Sequence, residues 1–222
     1  LGPTASGKTD MGILLAKKFT GEIISADSRQ VYKKMNIGTG KLVGEWVNNA
    51  YVVEGVPHHL MDIVEPDEEF TLAHFKKMAE EKIEDILKRG KLPIIVGGTG
   101  LYIWSVVDNL EMPAVEPNLD LRAELEKKSL DEQVRILIEK DPETANRIDL
   151  KNPRRVLRAL EVCLDSGKSF AGQRKQAPPK YDVLQIGLDW PRGELYERIE
   201  KRIDGQIKEG WVGETEKVVE FL

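Results

Sequence analysis

Two apolar periodicities alternate along the first hundred residues, and together they predict a parallel sheet with helices packed on its faces. Glu22–Ala26 and Leu92–Val96 are short, nearly continuous apolar runs, which are typical of strands buried on both faces. Between them, apolar residues recur at helical spacing from Thr71, a suitable N-cap, to Gly90, and another helix is predicted from Leu101. This order of strands and helices indicates an α/β domain.

The apolar pattern changes near Asp108, and from there to residue 180 it is helical with no convincing strand. Ser129 and Glu132 have the spacing of a capping box that begins one helix. Asn152, followed by Pro153, begins another. These features predict an all-helical subdomain inserted in the α/β domain.

Strand character returns at Val183–Leu188, and a helical stripe then continues to Gly210. Only Leu1 precedes the first motif, and the last helical pattern stops at Leu222 without a cap, so we expect a piece of a longer protein that lacks its first strand and its C-terminal part. We predict three segments, which are the α/β core, the helical insertion and the return to the core: residues 1–107, 108–180 and 181–222.

Composition and charge narrow the class of protein. A chain of 222 residues with 41% apolar content suits one α/β domain with a small insertion, and no apolar run reaches the ~18 residues of a membrane span. The single Cys163 excludes a disulfide framework, and we expect it in the core of a cytoplasmic protein. The net charge is −5, but from Lys151 to Lys180 eight basic residues accompany only Glu161 and Asp165. This local excess of positive charge predicts a polyanion partner.

The most specific motif is Gly2-Pro3-Thr4-Ala5-Ser6-Gly7-Lys8-Thr9, which fits the pattern G-x-x-x-x-G-K-[ST] at every constrained position. Its glycines let backbone N–H groups turn toward phosphate oxygens, Lys8 adds a cation, and the Thr9 hydroxyl can ligate Mg²⁺. The helix predicted from Lys8 to Phe19 points the positive end of its dipole at the same anion. The motif therefore predicts a phosphate or diphosphate site, which we call the phosphate loop, without fixing the reaction.

Two further loops follow predicted strands, at the sheet edge where open parallel sheets bind ligands. Asp27 follows the first strand and is a candidate metal ligand, general base or turn cap. Gly97-Gly98-Thr99-Gly100 follows the second strand and either lets the backbone approach a ligand closely or forms a tight turn. Proteins that hydrolyse nucleoside triphosphates usually carry an acidic Mg²⁺ ligand after an apolar strand. The glycines at that position argue against an ordinary ATPase.

Two clusters of side chains concern binding partners, the first a metal ion and the second a nucleic acid. His58 and His59 are adjacent, so their side chains point apart, and we do not expect a shared zinc ion. Arg154 and Arg158 are four residues apart and share the outer face of a predicted helix. Such a cluster is either a solvated helix surface or, together with the basic residues 168–180, a contact for a nucleic-acid backbone.

Six segments in order resemble the tRNA dimethylallyltransferases, which prenylate the adenosine 3′ of the anticodon: Gly2–Thr9, Asp27–Tyr32, Met35–Thr39, Gly55–Leu60, Val96–Tyr102 and Asn152–Glu161. The resemblance runs from Gly2 to the end of the chain and implies a P-loop NTPase-like sheet flanked by helices, with a helical insertion. The sequence departs from the family pattern at Arg29, where Met is common, and at Gly40, where many relatives have Ala.

The resemblance implies that the phosphate loop holds the diphosphate of dimethylallyl diphosphate, with Mg²⁺ on Thr9. Asp27 is implied as the general base for the adenine N6 amine, and Arg198 or Arg202 as the holder of the leaving diphosphate, with the choice open. Catalytic roles are implied for six residues: Lys8, Thr9, Asp27, Thr99, Arg198 and Arg202. Contacts with tRNA are implied at eleven positions: Asp27, Ser28, Arg29, Gln30, Thr99, Arg122, Arg154, Arg155, Val156, Leu157 and Arg158.

Three other functions share some of these features. An adenylate isopentenyltransferase would use the same loop and base on free adenine nucleotides, but it would not need a basic helical insertion. A small-molecule kinase would bind ATP at the phosphate loop, and an RNA-binding module would leave the loop without catalytic use. We expect the tRNA-modifying enzyme, acting as a monomer in the cytoplasm without a membrane partner.

Overall fold

Residues 1–48, 50–111, 115, 117–173 and 177–221 are described in a computed structural model, and they divide into two units. The first unit contains Leu1–Val107 and Lys180–Leu222, and the second contains Asp108–Pro179. Two basic residues of the predicted polyanion segment, Arg174 and Lys175, lie outside the described residues.

A five-stranded sheet of order β2-β3-β4-β1-β5 forms the centre of the first unit. Its strands are β1 (Gly21–Ser25), β2 (Glu45–Val47), β3 (Ala50–Val53), β4 (Val56–His59) and β5 (Leu92–Val96). Strand β1 pairs in parallel with β4 and β5, whereas β2, β3 and β4 pair antiparallel. The predicted α/β sheet flanked by helices is confirmed, but one edge of it is antiparallel and not parallel as predicted, because residues 54 and 55, both with positive φ, form a two-residue hairpin turn between β3 and β4.

Five helices of the first unit accompany this sheet: α1 (Lys8–Phe19), α2 (Leu72–Lys88), α3 (Gly100–Val107), α9 (Arg192–Lys208) and α10 (Trp211–Val219). The predicted start of α2 is confirmed, because the Thr71 hydroxyl accepts from the backbone N–H of His74 at 3.2 Å. Residues of β1 alternate between two apolar clusters: Ile23 packs with Ile13 of α1, and Ile24 packs with Phe75 of α2. Strand β1 is thus buried on both faces, as its apolar run predicts.

The described part of the second unit is helical, as predicted, with helices α4 (Leu119–Glu126), α5 (Leu130–Lys140), α6 (Pro142–Ala145), α7 (Pro153–Ser166) and α8 (Phe170–Gln173). Ser129 and Glu132 form the predicted capping box of α5, and Asn152 caps α7 before Pro153. Cys163 is buried, as predicted, and its burial raises the pKa of the thiol.

The predicted strand Val183–Leu188 is not a strand. Its described backbone partner is Leu1, whose carbonyl accepts from Leu188 N–H at 2.8 Å and whose amino group donates to Ile186 at 2.7 Å. Two hydrogen bonds to one residue do not make a ladder, so the segment remains extended outside the sheet, with Leu184 exposed. Among the described residues, no helix has both the length and the apolar character needed to cross a membrane.

Candidate active site

A cavity of about 730 Å³ lies in the first unit, beyond the carboxyl ends of β1 and β5 and beside the start of α1. The structure brings the phosphate loop together there with Asp27, Gly97 and Gly98, as the sequence predicts for this edge of the sheet. Arg198 and Arg202 of α9 also line the cavity. The residues implied for diphosphate binding and for proton transfer therefore share one site.

The phosphate loop leads into helix α1, whose first backbone N–H groups are not capped by a side chain. Gly7 occupies the N-cap position in the left-handed conformation (φ 85°), and no side chain caps α1. The Ser6 hydroxyl is buried and has no partner among the described residues. Lys8 Nζ donates to the carbonyl of Pro3 at 2.5 Å. The loop and helix start thus present N–H groups, hydroxyl groups and a cation, which is the donor set of an anion site.

Burial lowers the pKa of Lys8, and the positive charge of Arg202 acts in the same direction. The negative charge of Asp27 opposes both effects. A bound anion would reverse the balance, because it adds negative charge beside the ammonium group. Lys8 is therefore most stable as a cation when the site is filled.

The two oxygens of the Asp27 carboxylate have different surroundings. Oδ1 accepts from the backbone N–H of Arg29 at 2.9 Å, which is the turn-capping role. Oδ2 has no hydrogen-bond partner among the described residues, so it is available to accept a proton from a ligand. The side chain of Thr99 supports this turn, because its Oγ1 accepts from Ser28 N–H at 2.9 Å and donates to Ser28 Oγ at 3.2 Å. Thr99 therefore acts on the site through Ser28.

The glycine turn after β5 is explained by the protein's own backbone. A Cβ added to Gly97 would lie 2.7 Å from Ala26 Cα and closer still to the Ala26 carbonyl. A Cβ added to Gly100 would meet nothing within 4 Å. Of the two explanations that the sequence leaves open, close approach to the backbone is confirmed at Gly97. The group that approaches is the Ala26 backbone and not a ligand.

The two candidate arginines differ in which atoms are occupied. Arg198 donates through Nε to the carbonyl of Ala5 at 2.8 Å and lies over the Trp190 ring at 4.3 Å, while its terminal nitrogens have no hydrogen-bond partner among the described residues. Arg202 uses both terminal nitrogens, on Thr4 Oγ1 at 3.4 Å and on the carbonyl of Thr39 at 3.3 Å. Arg198 therefore has both terminal nitrogens free for a ligand, whereas each terminal nitrogen of Arg202 already donates one hydrogen bond within the protein.

Sequence reasoning missed Trp190, whose indole N–H donates to the carbonyl of Ser6 at 3.0 Å. Its position just before a predicted helix gives no local sign of this contact. Gln30, predicted to contact tRNA, has its amide occupied within the protein: Oε1 accepts from Ser25 Oγ at 3.1 Å, and Nε2 donates to Thr39 O at 3.3 Å.

The arginines of the second unit form two groups. Arg154 and Arg155 are exposed, as a nucleic-acid contact requires. Arg158 differs from these two, because it is only partly exposed and pairs with Glu161, as does Arg122 through Nε at 2.8 Å. Both arginines pair with Glu161 because its carboxylate is fully buried, and a buried charge needs partners of opposite charge.

Burial alone would raise the pKa of the Glu161 carboxyl, but the hydrogen bonds from Arg122 and Arg158 outweigh it, so the pKa lies below its usual range. Two other positions predicted to contact tRNA differ in exposure. Val156 is fully buried, so its side chain is part of the core of the second unit, and Leu157 is partly buried.

The histidine pair points apart, as predicted. His58 Nδ1 lies 2.9 Å from the carbonyl of Val56, and burial lowers the pKa of its imidazole. His59 Nε2 lies 2.7 Å from Glu22, whose pKa is held far below its usual range mainly by the Arg89 guanidinium. The two rings therefore serve different faces of the sheet.

Known proteins match the whole chain. A family profile described as IPP transferase matches residues 30–222, and one described as isopentenyl transferase matches residues 1–55. The tRNA dimethylallyltransferase of Acetivibrio thermocellus is 44% identical over 228 residues, which cover 100% of this chain and 71% of the relative. That of Anoxybacillus flavithermus is 46% identical over 222 residues, 99% of this chain and 70% of the relative.

Solved structures agree with the sequence matches. A tRNA delta(2)-isopentenylpyrophosphate transferase from Staphylococcus epidermidis is 41% identical with a TM-score of 0.61, covering 99% of this chain and 72% of that one. A eukaryotic dimethylallyltransferase acting on tRNA is 32% identical with a TM-score of 0.82, covering 99% of this chain and 55% of that one. The phosphate loop, the acid after β1 and the sequence matches lead to one conclusion: the chain belongs to the IPP transferase family.

Proposed function

We propose that this chain transfers the dimethylallyl group of dimethylallyl diphosphate to N6 of the adenosine 3′ of the anticodon in tRNA and releases diphosphate. The observation that carries the proposal is the cavity that brings the phosphate loop, a carboxylate and a free guanidinium together in one unit. Relatives named tRNA dimethylallyltransferase that match along the whole chain support the choice of donor and acceptor.

Asp27 is the proposed general base. The lone pair of the adenine N6 amine is delocalised into the ring, so its attack on carbon requires loss of a proton. The new bond joins N6 to C1 of the allyl group, the C1–O bond breaks with its electron pair going to diphosphate, and the N6 proton passes to Asp27 Oδ2. General-base catalysis of this kind contributes about 10²–10⁴-fold to the rate.

The phosphate loop is proposed to stabilise the charge that grows on the leaving diphosphate. Its N–H groups and the start of α1 face the anion with fixed dipoles, and Lys8 adds a mobile charge. Of the two arginines, we assign Arg198 to the diphosphate, because neither of its terminal nitrogens has a hydrogen-bond partner among the described residues, whereas those of Arg202 are directed to Thr4 and Thr39. The contact between Arg198 and Ala5 holds the guanidinium in place before the ligand arrives.

Mg²⁺ is the proposed cofactor. The Thr9 hydroxyl lines the cavity, and it is an oxygen donor of the kind that Mg²⁺ accepts when phosphate oxygens complete its coordination. When bound, the ion would supply positive charge to the diphosphate. Thr9 is the residue we expect to hold it.

The exposed arginines of the second unit, Arg154 and Arg155, support the choice of RNA as acceptor. Arg29, which lines the cavity, is well placed to contact the acceptor base beside Asp27. The acceptor adenine would have to leave its base stack to enter the cavity. We further propose that the enzyme acts in the cytoplasm as a monomer, which sedimentation at several concentrations tests.

The test uses the chain with radiolabelled dimethylallyl diphosphate and either an anticodon stem-loop RNA or free AMP. We expect label in the RNA, a kcat about 10²–10⁴-fold lower for Asp27→Asn, and no change for Asp67→Asn, an exposed acid of the same unit. Label in AMP alone would make the chain an adenylate isopentenyltransferase. Transfer of phosphate from γ-labelled ATP without prenyl transfer would make it a kinase.

A further inference from the structure

The loop Asn36–Gly40, which we call the 36–40 loop, is held by a single carboxylate from far along the chain. Glu214 Oε2 accepts from the backbone N–H groups of Asn36 at 2.7 Å and Ile37 at 2.8 Å, and Oε1 accepts from Gly38 at 3.0 Å. Three successive N–H groups that converge on an anion form a nest. The carboxylate therefore fixes the backbone of the loop on one side.

Helix α9 holds the other side of the 36–40 loop. Gln206 Nε2 donates to the carbonyl of Ile37 at 2.5 Å, and Arg202 donates to the carbonyl of Thr39 at 3.3 Å. Gly40, at φ 64°, lets the guanidinium come close, because a Cβ there would lie 2.8 Å from Arg202 Cζ and nearer still to Nη2. The loop thus determines where Arg202 lies.

Arg202 connects the 36–40 loop with the phosphate loop. Its other terminal nitrogen donates to Thr4 Oγ1 at 3.4 Å, and its charge is near enough to Lys8 to contribute to the lowered pKa of that ammonium group. The position of the 36–40 loop therefore decides how much positive charge stands beside the anion site.

We propose that Glu214 is a positioning residue for the donor diphosphate: it holds the 36–40 loop, which in turn holds Arg202 against the phosphate loop. The identity of the donor rests on the proposed function, but the binding of diphosphate does not. The carboxylate acts through backbone N–H groups and Arg202 and makes no contact with the ligand itself.

The direction in which Glu214→Gln changes the affinity for diphosphate distinguishes a positioning role from a purely electrostatic one. Glu214→Gln removes one negative charge from the unit, which by itself would tighten the binding of an anion. Positioning predicts the opposite, because the nest loses its anion and Arg202 regains rotamer freedom. Since immobilising one long side chain costs about as much free energy as a tenfold change in affinity, we expect a Kd about tenfold higher.

The experiment is calorimetric titration of the chain with inorganic diphosphate in the presence of Mg²⁺. Glu216→Gln is the matched control, since Glu216 is exposed on the same helix and has no hydrogen bond or ion pair among the described residues. We expect Glu214→Gln to weaken diphosphate about tenfold and Glu216→Gln to leave the Kd unchanged. An unchanged or lower Kd for Glu214→Gln would overturn the proposal.

Steady-state kinetics add a readout that loss of folded protein cannot imitate. We expect Glu214→Gln to raise KM for dimethylallyl diphosphate about tenfold with kcat within twofold, because a smaller folded fraction would lower kcat alone. If Glu214→Gln does not fold, Gln206→Met decides, and an unchanged Kd for diphosphate in that variant refutes the proposal. A chain that binds diphosphate in this way but transfers no prenyl group would leave this inference intact and remove the proposed function.

Discussion

Replacing Gly97 with alanine should destabilise the first unit strongly, because the new methyl group would occupy the place of the Ala26 backbone. The added Cβ would lie 2.7 Å from Ala26 Cα and nearer to the carbonyl, so the ends of β1 and β5 would have to move apart by roughly 1 Å. Two backbone hydrogen bonds hold them together, from Ala26 N–H to Val96 at 2.8 Å and from Thr99 N–H to Ala26 at 3.1 Å.

The cost follows from these contacts. Overpacking at a site that cannot relax costs about 1–3 kcal/mol, and each weakened hydrogen bond about 1 kcal/mol. We expect Gly97→Ala to lower the free energy of unfolding by about 3 kcal/mol, a large share of the 5–15 kcal/mol typical of a folded protein. The same shift moves Asp27, so kcat of the remaining folded protein should fall as well.

Urea unfolding followed by circular dichroism measures this effect, and Gly100→Ala is the matched control. Gly100 belongs to the same turn and begins α3, and a Cβ there meets nothing within 4 Å. We expect that change to be neutral or to stabilise by up to about 1 kcal/mol, as alanine does within a helix. Equal effects of the two substitutions would refute the argument that the Ala26 backbone requires glycine at Gly97.

Three further outcomes follow from the site and the second unit. Glu161→Gln should lower the free energy of unfolding by about 3 kcal/mol at pH 7, measured by urea unfolding, because it leaves two arginines without their buried carboxylate. Since the pKa of Glu161 is lowered, the free energy of unfolding of the wild-type chain should fall as pH drops below 4.5, and the variant should lack this part of the pH dependence. Arg198→Lys should raise KM for dimethylallyl diphosphate and lower kcat, because the single nitrogen of lysine cannot occupy the positions of both Nε and the terminal nitrogens, and a loss of kcat for Arg202→Lys alone would reverse our assignment. Thr99→Val should lower kcat by leaving the Ser28 N–H without its acceptor, and Thr99→Ser should restore it.

Local patterns predicted the fold where the structure depends on local interactions. The start of α1 at Lys8, the capped start of α2 and the capping box of α5 depend on residues that are close in sequence, and all three are confirmed. The antiparallel edge was missed, because β2 is exposed throughout and β4 contains Pro57, so neither has the apolar pattern of a strand. The error at Val183–Leu188 is the reverse case, in which an apolar run has too few backbone partners to be a strand.

The candidate site was predictable in its motifs and not in its long-range contacts. Asp27 and the phosphate loop follow from strand ends and a spacing pattern, whereas the choice between Arg198 and Arg202 depends on carbonyl groups 193 and 163 residues away. The same separation hides Trp190 and Glu214, which contact backbone atoms. Backbone carbonyls and N–H groups are the same at every residue, so no sequence pattern indicates which of them a distant side chain will reach.

Contacts of this kind also prepare the phosphate loop for the anion that we propose it binds. Three of its carbonyl groups are occupied by donors: Pro3 by Lys8, Ala5 by Arg198 and Ser6 by Trp190. With these three carbonyl groups bound by side chains, the polar atoms that the loop leaves free are mainly N–H groups and the Ser6 hydroxyl, so the loop presents a donor surface. Two of the three donors are Trp190 and Arg198, which lie far along the chain from the motif, so the proposed anion site is a property of the folded first unit and not of the motif alone.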